Sequence, residues 1–302
     1  MVVAFYENRG PVDCPSEIDT SAVAGKTVII TGGSSGLGLC YAKAFVEAGA
    51  FVVIADLQPP TVAFEKAQAV FVRCDVTVWG DQVNAFETAV KRSPNQKIDI
   101  VIANAGIAGP DVLAGLSCDT PQEPSTKIID VNVIGTLYTT NLSGWYFRRH
   151  HDDPRKGCLI FMSSINGYID SQSSSIYSTS KFGVRGLMCC LRRKGVFRVN
   201  TIAPWIIATP IMRKDFLESV EKEFQSMGLD LAYAQDAVSA VLRVATDPSI
   251  NGRSLAVVPR QVAPSGYMDL ELDDFDEGST MDRLQKAVLA ISYNKYGHTI
   301  GG

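Results

Sequence analysis

The sequence predicts an α/β protein: a single doubly wound Rossmann-type domain with a parallel sheet of about seven strands. Short apolar segments rich in β-branched residues alternate with segments of helical periodicity. A glycine-rich turn directly follows the first apolar segment and opens a helix. Polar residues stand at the ends of successive apolar segments, where ligands bind in such sheets. These three observations together favour one nucleotide-binding domain.

The predicted elements follow one another along the whole chain. Strands are predicted at residues 26–31, 51–55, 69–74, 98–103, 158–162, 196–203 and 253–258. Helices are predicted after the glycine turn as far as residue 49, at 80–92, 126–151, 211–228 and 232–246, and around Tyr177. Strands that alternate with helices imply right-handed crossovers. We expect an irregular N-terminal extension (1–24), a catalytic domain (25–258) and a C-terminal extension (259–302).

Composition excludes several classes of function. The 28 basic and 32 acidic residues are scattered and give a net charge of -4, so no basic patch for nucleic acid is predicted. No apolar segment approaches the length of a membrane span, and the first 24 residues contain charges and prolines, which together predict a cytoplasmic protein. The seven cysteines form no C-x-x-C pair and are predicted to be reduced and mostly buried. We predict no metal site.

The glycine-rich turn is the first candidate ligand site. Gly32, Gly36 and Gly38 would let the backbone approach a pyrophosphate, which the N-terminus of the following helix attracts. Asp56 ends the second strand, where its carboxylate can accept both adenosine ribose hydroxyls and would repel a 2′-phosphate. This predicts NAD, with NADP less favoured. The alternative is that Asp56 only caps a turn.

A second candidate site combines a hydroxyl, a phenol and an ammonium group. Tyr177 and Lys181 are four residues apart, so they share one face of a helix. A nearby cation favours phenolate, and we therefore expect Lys181 to lower the pKa of Tyr177. Ser164, thirteen residues before Tyr177, could hold a carbonyl or alkoxide oxygen. A Tyr four residues before a Lys also occurs often by chance.

Three further features have two interpretations each. Asn132 lies among apolar residues, so it is either a structural brace, which the spacing favours, or part of a water relay. The amphipathic helix at 211–228 is either a lid over an apolar substrate or an ordinary core helix. The acidic segment 269–277 is by default a solvated surface segment, although its Leu and Phe residues suggest docking on the body or on a partner.

These motifs, in this order, resemble the classical short-chain dehydrogenase/reductase family over roughly residues 26–258. The resemblance implies that Asn132, Ser164, Tyr177 and Lys181 are the catalytic residues, with Asn132 holding a water relay to the lysine. It implies a cofactor site made by the glycine turn, by the ends of the next three strands, by the catalytic Tyr and Lys and by the loop after the sixth strand. Its residues are Gly32, Ser34, Ser35, Gly36, Leu37, Gly38, Asp56, Leu57, Asp75, Val76, Asn104, Ala105, Gly106, Tyr177, Lys181, Pro204, Ile207 and Thr209.

Within this set, the resemblance assigns Asp75 and Val76 to the adenine. It assigns Asn104 to Gly106 to support of the central strand beside the adenosine ribose. Ile207 and Thr209 would hold the nicotinamide carboxamide.

Two positions depart from the family pattern. Trp205 replaces the usual glycine of the loop after the sixth strand, where its ring would shape the substrate pocket or shift the loop. The distance from Tyr177 to Asn200 is several residues shorter than usual, which predicts that the Tyr177 helix ends near Arg192 or Arg193. That helix forms much of the subunit interface in the family. The implied homodimer or homotetramer is therefore an open question.

The resemblance implies an NAD-dependent oxidoreductase that interconverts a secondary alcohol and a ketone on a mainly apolar small molecule, with Tyr177 as acid and base. Residues 252–259 and 266–270 resemble relatives of the 15-hydroxyprostaglandin dehydrogenase type. Two alternatives are an NADP-dependent ketoreductase of a biosynthetic pathway and a nucleotide-binding scaffold without turnover. We expect a small-molecule substrate and no nucleic-acid partner.

Overall fold

The computed structural model describes residues 6–172, 174–209 and 214–296, and its centre is one eight-stranded sheet. The strand order is β3-β2-β1-β4-β5-β6-β7-β8. The strands are β1 (Thr27–Thr31), β2 (Phe51–Asp56), β3 (Ala69–Arg73), β4 (Ile100–Ala103), β5 (Cys158–Met162), β6 (Arg198–Pro204), β7 (Ser254–Val257) and β8 (Tyr267–Asp269).

The sheet has the doubly wound order that the sequence predicts. The strand pairs from β3 across to β7 are parallel, and the order reverses between β1 and β4. Only the short edge strand β8 pairs antiparallel, with β7. This eighth strand was not predicted, because three residues are too few for an alternating pattern to stand out. It lies within the predicted C-terminal extension and continues the sheet.

Helices cover both faces of the sheet, so its central strands are buried on both sides and read as continuous apolar segments. One core cluster includes Tyr41, Phe45 and Val241, and the other includes Phe86 and Phe147. The helices are α1 (Gly36–Glu47), α2 (Trp79–Arg92), α3 (Lys127–Ile129), α4 (Gly135–His150), α5 (Ser175–Arg192), α6 (Lys214–Ser226), α7 (Ala234–Thr246) and α8 (Thr280–Tyr296).

The helix predicted at 126–151 contains a wider π turn. Asp130–Ile134 joins α3 to α4, and Asn132 lies inside this turn. Gln82 of α2 holds the junction, because its side-chain amide donates to the carbonyls of Val76 (2.7 Å) and Gly135 (2.9 Å). Such π turns change the direction of the carbonyls that follow them. Asn132 is therefore presented from a locally widened helix.

Helix α5 ends at Arg192, as the sequence predicts. Helix α6 differs from a core helix. The side chains described for it are half-buried or exposed, and its contact with the body includes Phe224, whose ring lies 5.1 Å from that of Trp205. The core-packing interpretation of this segment is thus wrong for the side chains described. Residues 211–213 of the predicted helix lie outside the described residues.

Segments near both ends of the described chain pack on the body. The acidic segment is solvated only in part. Its Glu271, Asp276 and Glu277 are exposed, whereas the Asp269 carboxylate accepts from Arg253 Nε (2.7 Å) and the Asp274 carboxylate accepts from Arg192 Nη2 (3.0 Å). The Tyr6 ring lies under the Arg192 guanidinium at 4.1 Å, and its hydroxyl donates to Asp274 at 2.7 Å. The segment docks through its carboxylates, while Leu272 and Phe275 are exposed.

The sequence analysis also made predictions about the cysteines and about membrane spans. All seven cysteines are free, but Cys118 and Cys190 are exposed and Cys40 and Cys189 half-buried, so burial holds only for Cys14, Cys74 and Cys158. Among the described residues, no helix has the length and apolar character needed to cross a membrane.

Candidate active site

The glycine turn between β1 and α1 is packed too tightly for side chains at two positions. A Cβ on Gly38 would lie 2.1 Å from the Gly32 carbonyl oxygen, and one on Gly32 would lie 2.8 Å from the Ala105 Cα. Gly32 and Gly36 also have positive φ values of 64° and 51°. The N-terminus of α1 is therefore held against the ends of β1 and β4, with its backbone open to a ligand.

Asn104 and Thr31 lock this turn in place. The Asn104 side-chain amide donates to the carbonyls of Thr31 (2.9 Å) and Gly32 (3.0 Å). The Thr31 hydroxyl accepts from the backbone N–H groups of Asn104 (3.0 Å) and Ala105 (3.1 Å). The ends of β1 and β4 are thus joined beside the predicted cofactor turn.

Asp56 faces the same turn from the end of β2. Its carboxylate accepts from the backbone N–H of Ser34 (2.9 Å) and from its neighbour Leu57 (2.7 Å). It therefore caps backbone groups, as the alternative interpretation holds, and it does so beside the glycine turn. The buried Ser34 hydroxyl has no hydrogen-bond partner among the described residues, and Ser35 is exposed at the start of α1. Leu57 is exposed next to them.

Asp75 and Val76 lie on the loop after β3. The Asp75 carboxylate accepts from the backbone N–H (2.9 Å) and the hydroxyl (2.7 Å) of Thr77, which lowers its pKa. Val76 is buried under the π turn, where a Cβ on Gly135 would lie 2.8 Å from it. Asp75 therefore shapes its own loop.

Ser164, Tyr177 and Lys181 come together at the end of β5. Ser164 lies two residues after the strand, its hydroxyl accepts from the backbone N–H of Asn166 (3.2 Å), and it favours the ionised form of the nearby Tyr177 phenol. The Lys181 ammonium lies 5.4 Å from the Tyr177 ring centroid and donates to the Met162 carbonyl at 2.9 Å. The spacing of residues 177 and 181 on one helix face, predicted from sequence, brings both groups to the end of β5.

Burial dominates the electrostatics of this cluster. It lowers the pKa of Lys181 from 10.5 to about 8, because no carboxylate compensates the desolvated ammonium. It also raises the pKa of Tyr177, and the Ser164 hydrogen bond offsets this in part. The pKa of Tyr177 is therefore raised by burial and not lowered as expected beside Lys181. The Ser164 hydroxyl acts against burial and favours the phenolate.

Asn132 joins this cluster through its side chain. Its Oδ1 accepts from the Ile107 N–H (2.9 Å), and its Nδ2 donates to the Ile107 carbonyl (3.0 Å) and to the Ser180 hydroxyl (3.0 Å). These bonds are those of a structural brace. A Cβ on Gly106 would lie 3.3 Å from Asn132 Oδ1 and 3.5 Å from Lys181 Nζ, so the brace also borders the lysine.

The loop after β6 closes the other side of the cluster. The Ser164 hydroxyl lies 3.5 Å from the Pro204 carbonyl, and Ile207 is buried and bridges to Ala232. Thr209 is half-buried at the last described position before residue 214. The indole N–H of Trp205 is buried without a hydrogen-bond partner among the described residues.

Sequence reasoning missed two charged residues that hold the helix of Tyr177 and Lys181. The Asp111 carboxylate accepts from the backbone N–H (2.7 Å) and hydroxyl (2.6 Å) of Ser175, the first residue of α5. Arg185 of α5 donates from Nε to Asp273 at 2.7 Å. Each pair spans more than sixty residues of sequence, so no local pattern could have indicated it.

Comparison with known proteins shows the family to which this chain belongs. The profile described as short chain dehydrogenase matches residues 26–219. The chain belongs to the short-chain dehydrogenase family. The 5′-hydroxyaverantin dehydrogenase of Dothistroma septosporum is 36% identical over 304 residues, covering 89% of this chain and 94% of that protein. The enzyme of the same name from Emericella nidulans is 37% identical, covering 86% and 91%.

Other similar proteins have lower sequence identity to this chain. An NADP-dependent dehydrogenase of Phoma sp. is 29% identical, covering 94% of this chain and 91% of that protein. The ligand-free structure of the Thermoplasma acidophilum aldohexose dehydrogenase aligns with a TM-score of 0.67 at 27% identity, covering 78% of this chain and 94% of that chain. A short-chain dehydrogenase from Mycobacterium marinum aligns with a TM-score of 0.69 at 24% identity, covering 82% and 99%. That likeness concerns the fold.

A short-chain dehydrogenase uses a nicotinamide dinucleotide, and the residues present fit one. The turn has no room for a Cβ at Gly32 or Gly38, and the buried Ser34 hydroxyl beside it lacks a partner in the described part of the chain. Open backbone N–H groups at a helix N-terminus suit a pyrophosphate. The ends of β1, β2 and β4 therefore form a suitable cradle for the adenosine and pyrophosphate portion.

The close contact at Gly38 predicts a loss of dinucleotide binding in Gly38→Ala. The added methyl group would force the turn away from α1, and we expect the affinity for NADH to fall at least about tenfold. A fluorescence titration measures this. Gly80→Ala in α2 is the matched control, because no atom lies within 4 Å of its added Cβ. Equal affinities of the two variants would contradict the assignment of the turn.

The buried Lys181 ammonium predicts a pH-dependent stability. Between pH 8 and 10.5 the unfolded chain binds this proton and the folded chain does not, so the contribution of Lys181 to the free energy of unfolding rises with pH. From pH 8 to pH 10, wild type should gain about 2 kcal/mol relative to Lys181→Met in urea denaturation. Below pH 8 the difference should be constant.

Lys286→Met serves as the control for this measurement. Lys286 is exposed, and its hydrogen bond to Asp282 raises its pKa. The difference between wild type and this variant should therefore not rise between pH 8 and pH 10. A flat difference for Lys181→Met over the same interval would mean that the ammonium is solvated.

Proposed function

We propose that this short-chain dehydrogenase is an NAD-dependent oxidoreductase that interconverts a secondary alcohol and a ketone on a mainly apolar small molecule. One observation carries the proposal. Ser164, Tyr177 and Lys181 converge at the end of β5, beside a glycine turn with the geometry of a pyrophosphate cradle. A phenol, a hydroxyl and an ammonium in one buried cluster suit proton transfer at a carbinol oxygen.

Each residue has a defined part in this proposal. The Ser164 hydroxyl donates to the substrate oxygen and stabilises it as an alkoxide. Tyr177 takes the hydroxyl proton in oxidation and returns it in reduction. Lys181 lies close enough to pass a proton onward and to bind ribose hydroxyls, and Asn132 positions the wall beside it. A bound nicotinamide supplies hydride acceptance at the carbinol carbon, so an alcohol and NAD⁺ give a ketone, NADH and one proton.

Two observations support a mainly apolar substrate. Trp205 replaces a small residue in the loop beside Ser164, and it packs against Phe224 of α6. Two relatives are named dehydrogenases of 5′-hydroxyaverantin, a compound whose name includes a hydroxyl group. We place the substrate between Ser164 and this aromatic pair, so that α6 acts as a cover over the pocket.

The cofactor preference depends on Asp56. A carboxylate at the end of β2 favours two ribose hydroxyls and repels a 2′-phosphate. A second candidate function is an NADP-dependent ketoreductase, which the NADP-dependent relatives favour. The backbone bonds of Asp56 keep its carboxylate beside the glycine turn, which supports NAD over NADP.

Tyr177→Phe should abolish turnover and keep dinucleotide binding, because only the transferable proton is lost. We expect kcat to fall at least about 100-fold with an NADH affinity within about twofold of wild type. NADH formation in a screen of secondary alcohols measures the first quantity and fluorescence titration the second. Tyr233→Phe removes an exposed hydroxyl and should leave both unchanged. Unimpaired turnover in Tyr177→Phe would eliminate this tyrosine as acid and base.

Asp56→Ser should relax the choice of cofactor. Removing the carboxylate takes away the repulsion of the 2′-phosphate, so the ratio of NADPH to NADH affinity should rise about tenfold or more. Titration of wild type and variant with both cofactors gives the ratio. Asp152→Ser, at an exposed carboxylate after α4, should leave it unchanged. A wild-type preference for NADPH would favour the ketoreductase, and binding of neither cofactor would favour the scaffold.

A further inference from the structure

We propose that Arg185 is a positioning residue for the active site, held in place by Asp273 of the C-terminal segment. Together they clamp the turn that follows Ser164 onto the helix that carries Tyr177 and Lys181. The proposal rests on the proposed function for the role of Ser164 and Tyr177. The contacts that form the clamp do not depend on the proposed function.

The clamp begins on the catalytic helix. Arg185 lies four residues after Lys181 on α5, so it lies one helical turn further along the same face. Its Nη1 points at the Gly167 carbonyl at 3.4 Å, and its guanidinium covers the Tyr168 ring at 4.2 Å. Gly167 ends the short 3-10 turn Ile165–Gly167, whose N-cap is Ser164. Arg185 therefore contacts two consecutive residues at the end of this turn, through the Gly167 carbonyl and the Tyr168 ring.

The C-terminal segment fixes the other edges of the same guanidinium. Nε donates to the Asp273 carboxylate at 2.7 Å, and Nη2 donates to the Leu272 carbonyl at 2.6 Å. The Asp273 side chain is only 6% exposed, so water competes little for this ion pair. A planar group with donors on three edges can satisfy these acceptors together, whereas a lysine ammonium on a flexible chain cannot.

The Asp273 end of the clamp is itself anchored to α5. The Cys189 thiol lies 3.7 Å from the same carboxylate oxygen, and the Arg192 guanidinium donates to the Asp273 carbonyl. Asp273 is thus tied to the helix at three successive turns. Asp273 as a whole cannot move away from α5 without breaking these contacts as well.

The clamped turn has little freedom relative to the catalytic residues. A Cβ on Gly167 would lie 2.7 Å from Ser163 Oγ and 3.0 Å from the Lys181 carbonyl oxygen, so the turn lies directly on α5. Its far end is held where the Tyr168 hydroxyl donates to Ser254 Oγ at 2.6 Å. A shift of this turn must therefore move the Ser164 hydroxyl relative to the Tyr177 phenol.

Hydrogen–deuterium exchange in the full chain tests the clamp without any substrate. The backbone N–H groups of Gly167, Tyr168 and Ile169 close the turn with bonds of 2.9, 2.8 and 3.1 Å. In Asp273→Asn and Arg185→Leu, peptides covering 165–170 should exchange about tenfold faster. Peptides covering the glycine turn should be unchanged. Asp276→Asn, an exposed carboxylate of the same segment, should exchange like wild type.

Steady-state kinetics test the consequence for the site. Asp273→Asn and Arg185→Leu should lower kcat about tenfold and leave the NADH affinity within about twofold of wild type. The apparent pKa in the kcat profile should rise, because a displaced Ser164 no longer lowers the pKa of Tyr177. Among the described residues, the charged group that lies near the phenol is Lys181. Neither substitution alters it. Arg185→Lys should recover less than half of the lost kcat.

Each outcome decides between the alternatives. Unchanged exchange over 165–170 in both variants overturns the clamp, and unchanged kcat with faster exchange overturns its positioning role. A loss of stability without a change in the pH profile would reduce Arg185 to a structural residue, which also overturns that role. If wild type turns over no secondary alcohol, the proposed function fails while the exchange experiment still decides on the clamp.

Discussion

The close approach of α5 to the end of β5 is the contact on which the candidate site depends. Lys181 donates from its ammonium to the Met162 carbonyl, and its own carbonyl accepts from the Ser163 hydroxyl at 3.1 Å. Gly167 has no room for a side chain between strand end and helix. These contacts bring a hydroxyl from the loop after β5 to the phenol and ammonium carried by α5. Without them Ser164 would not lie beside Tyr177 and Lys181.

Burial at this contact destabilises the charged forms of Lys181 and Tyr177. An ammonium buried without a carboxylate has a lowered pKa, and a phenol in the same surroundings has a raised one. The lowered pKa of Lys181 brings its two protonation states closer in free energy near neutral pH, and perturbed values of this kind gather at functional sites. Burial moves the pKa of Tyr177 away from neutral pH, and the Ser164 hydroxyl is the neutral group that moves the phenol back towards ionisation. Its position therefore affects how readily the phenol ionises.

Segments near the two ends of the described chain reinforce the site from outside. Tyr6, Asp273 and Asp274 gather around the arginines at the C-terminal end of α5, so these segments cover that end of the helix. Asp111 caps the opposite end of the same helix. The helix that carries Tyr177 and Lys181 is thus held at both ends by carboxylates from distant segments. These ion pairs explain why the acidic segment packs on the body although its Leu272 and Phe275 are exposed.

The sequence by itself determined the features that depend on local spacing. Alternating strands and helices gave the parallel sheet, the glycine turn gave the cradle, and the interval from Tyr177 to Asn200 gave the end of α5. Helical and strand periodicities are local, so they can be read without knowing the fold. Only the tertiary structure decided that burial outweighs the lysine in setting the pKa of Tyr177. It also decided that Arg185 meets Asp273 across 88 residues, since desolvation and long-range ion pairs exist only once distant segments pack together.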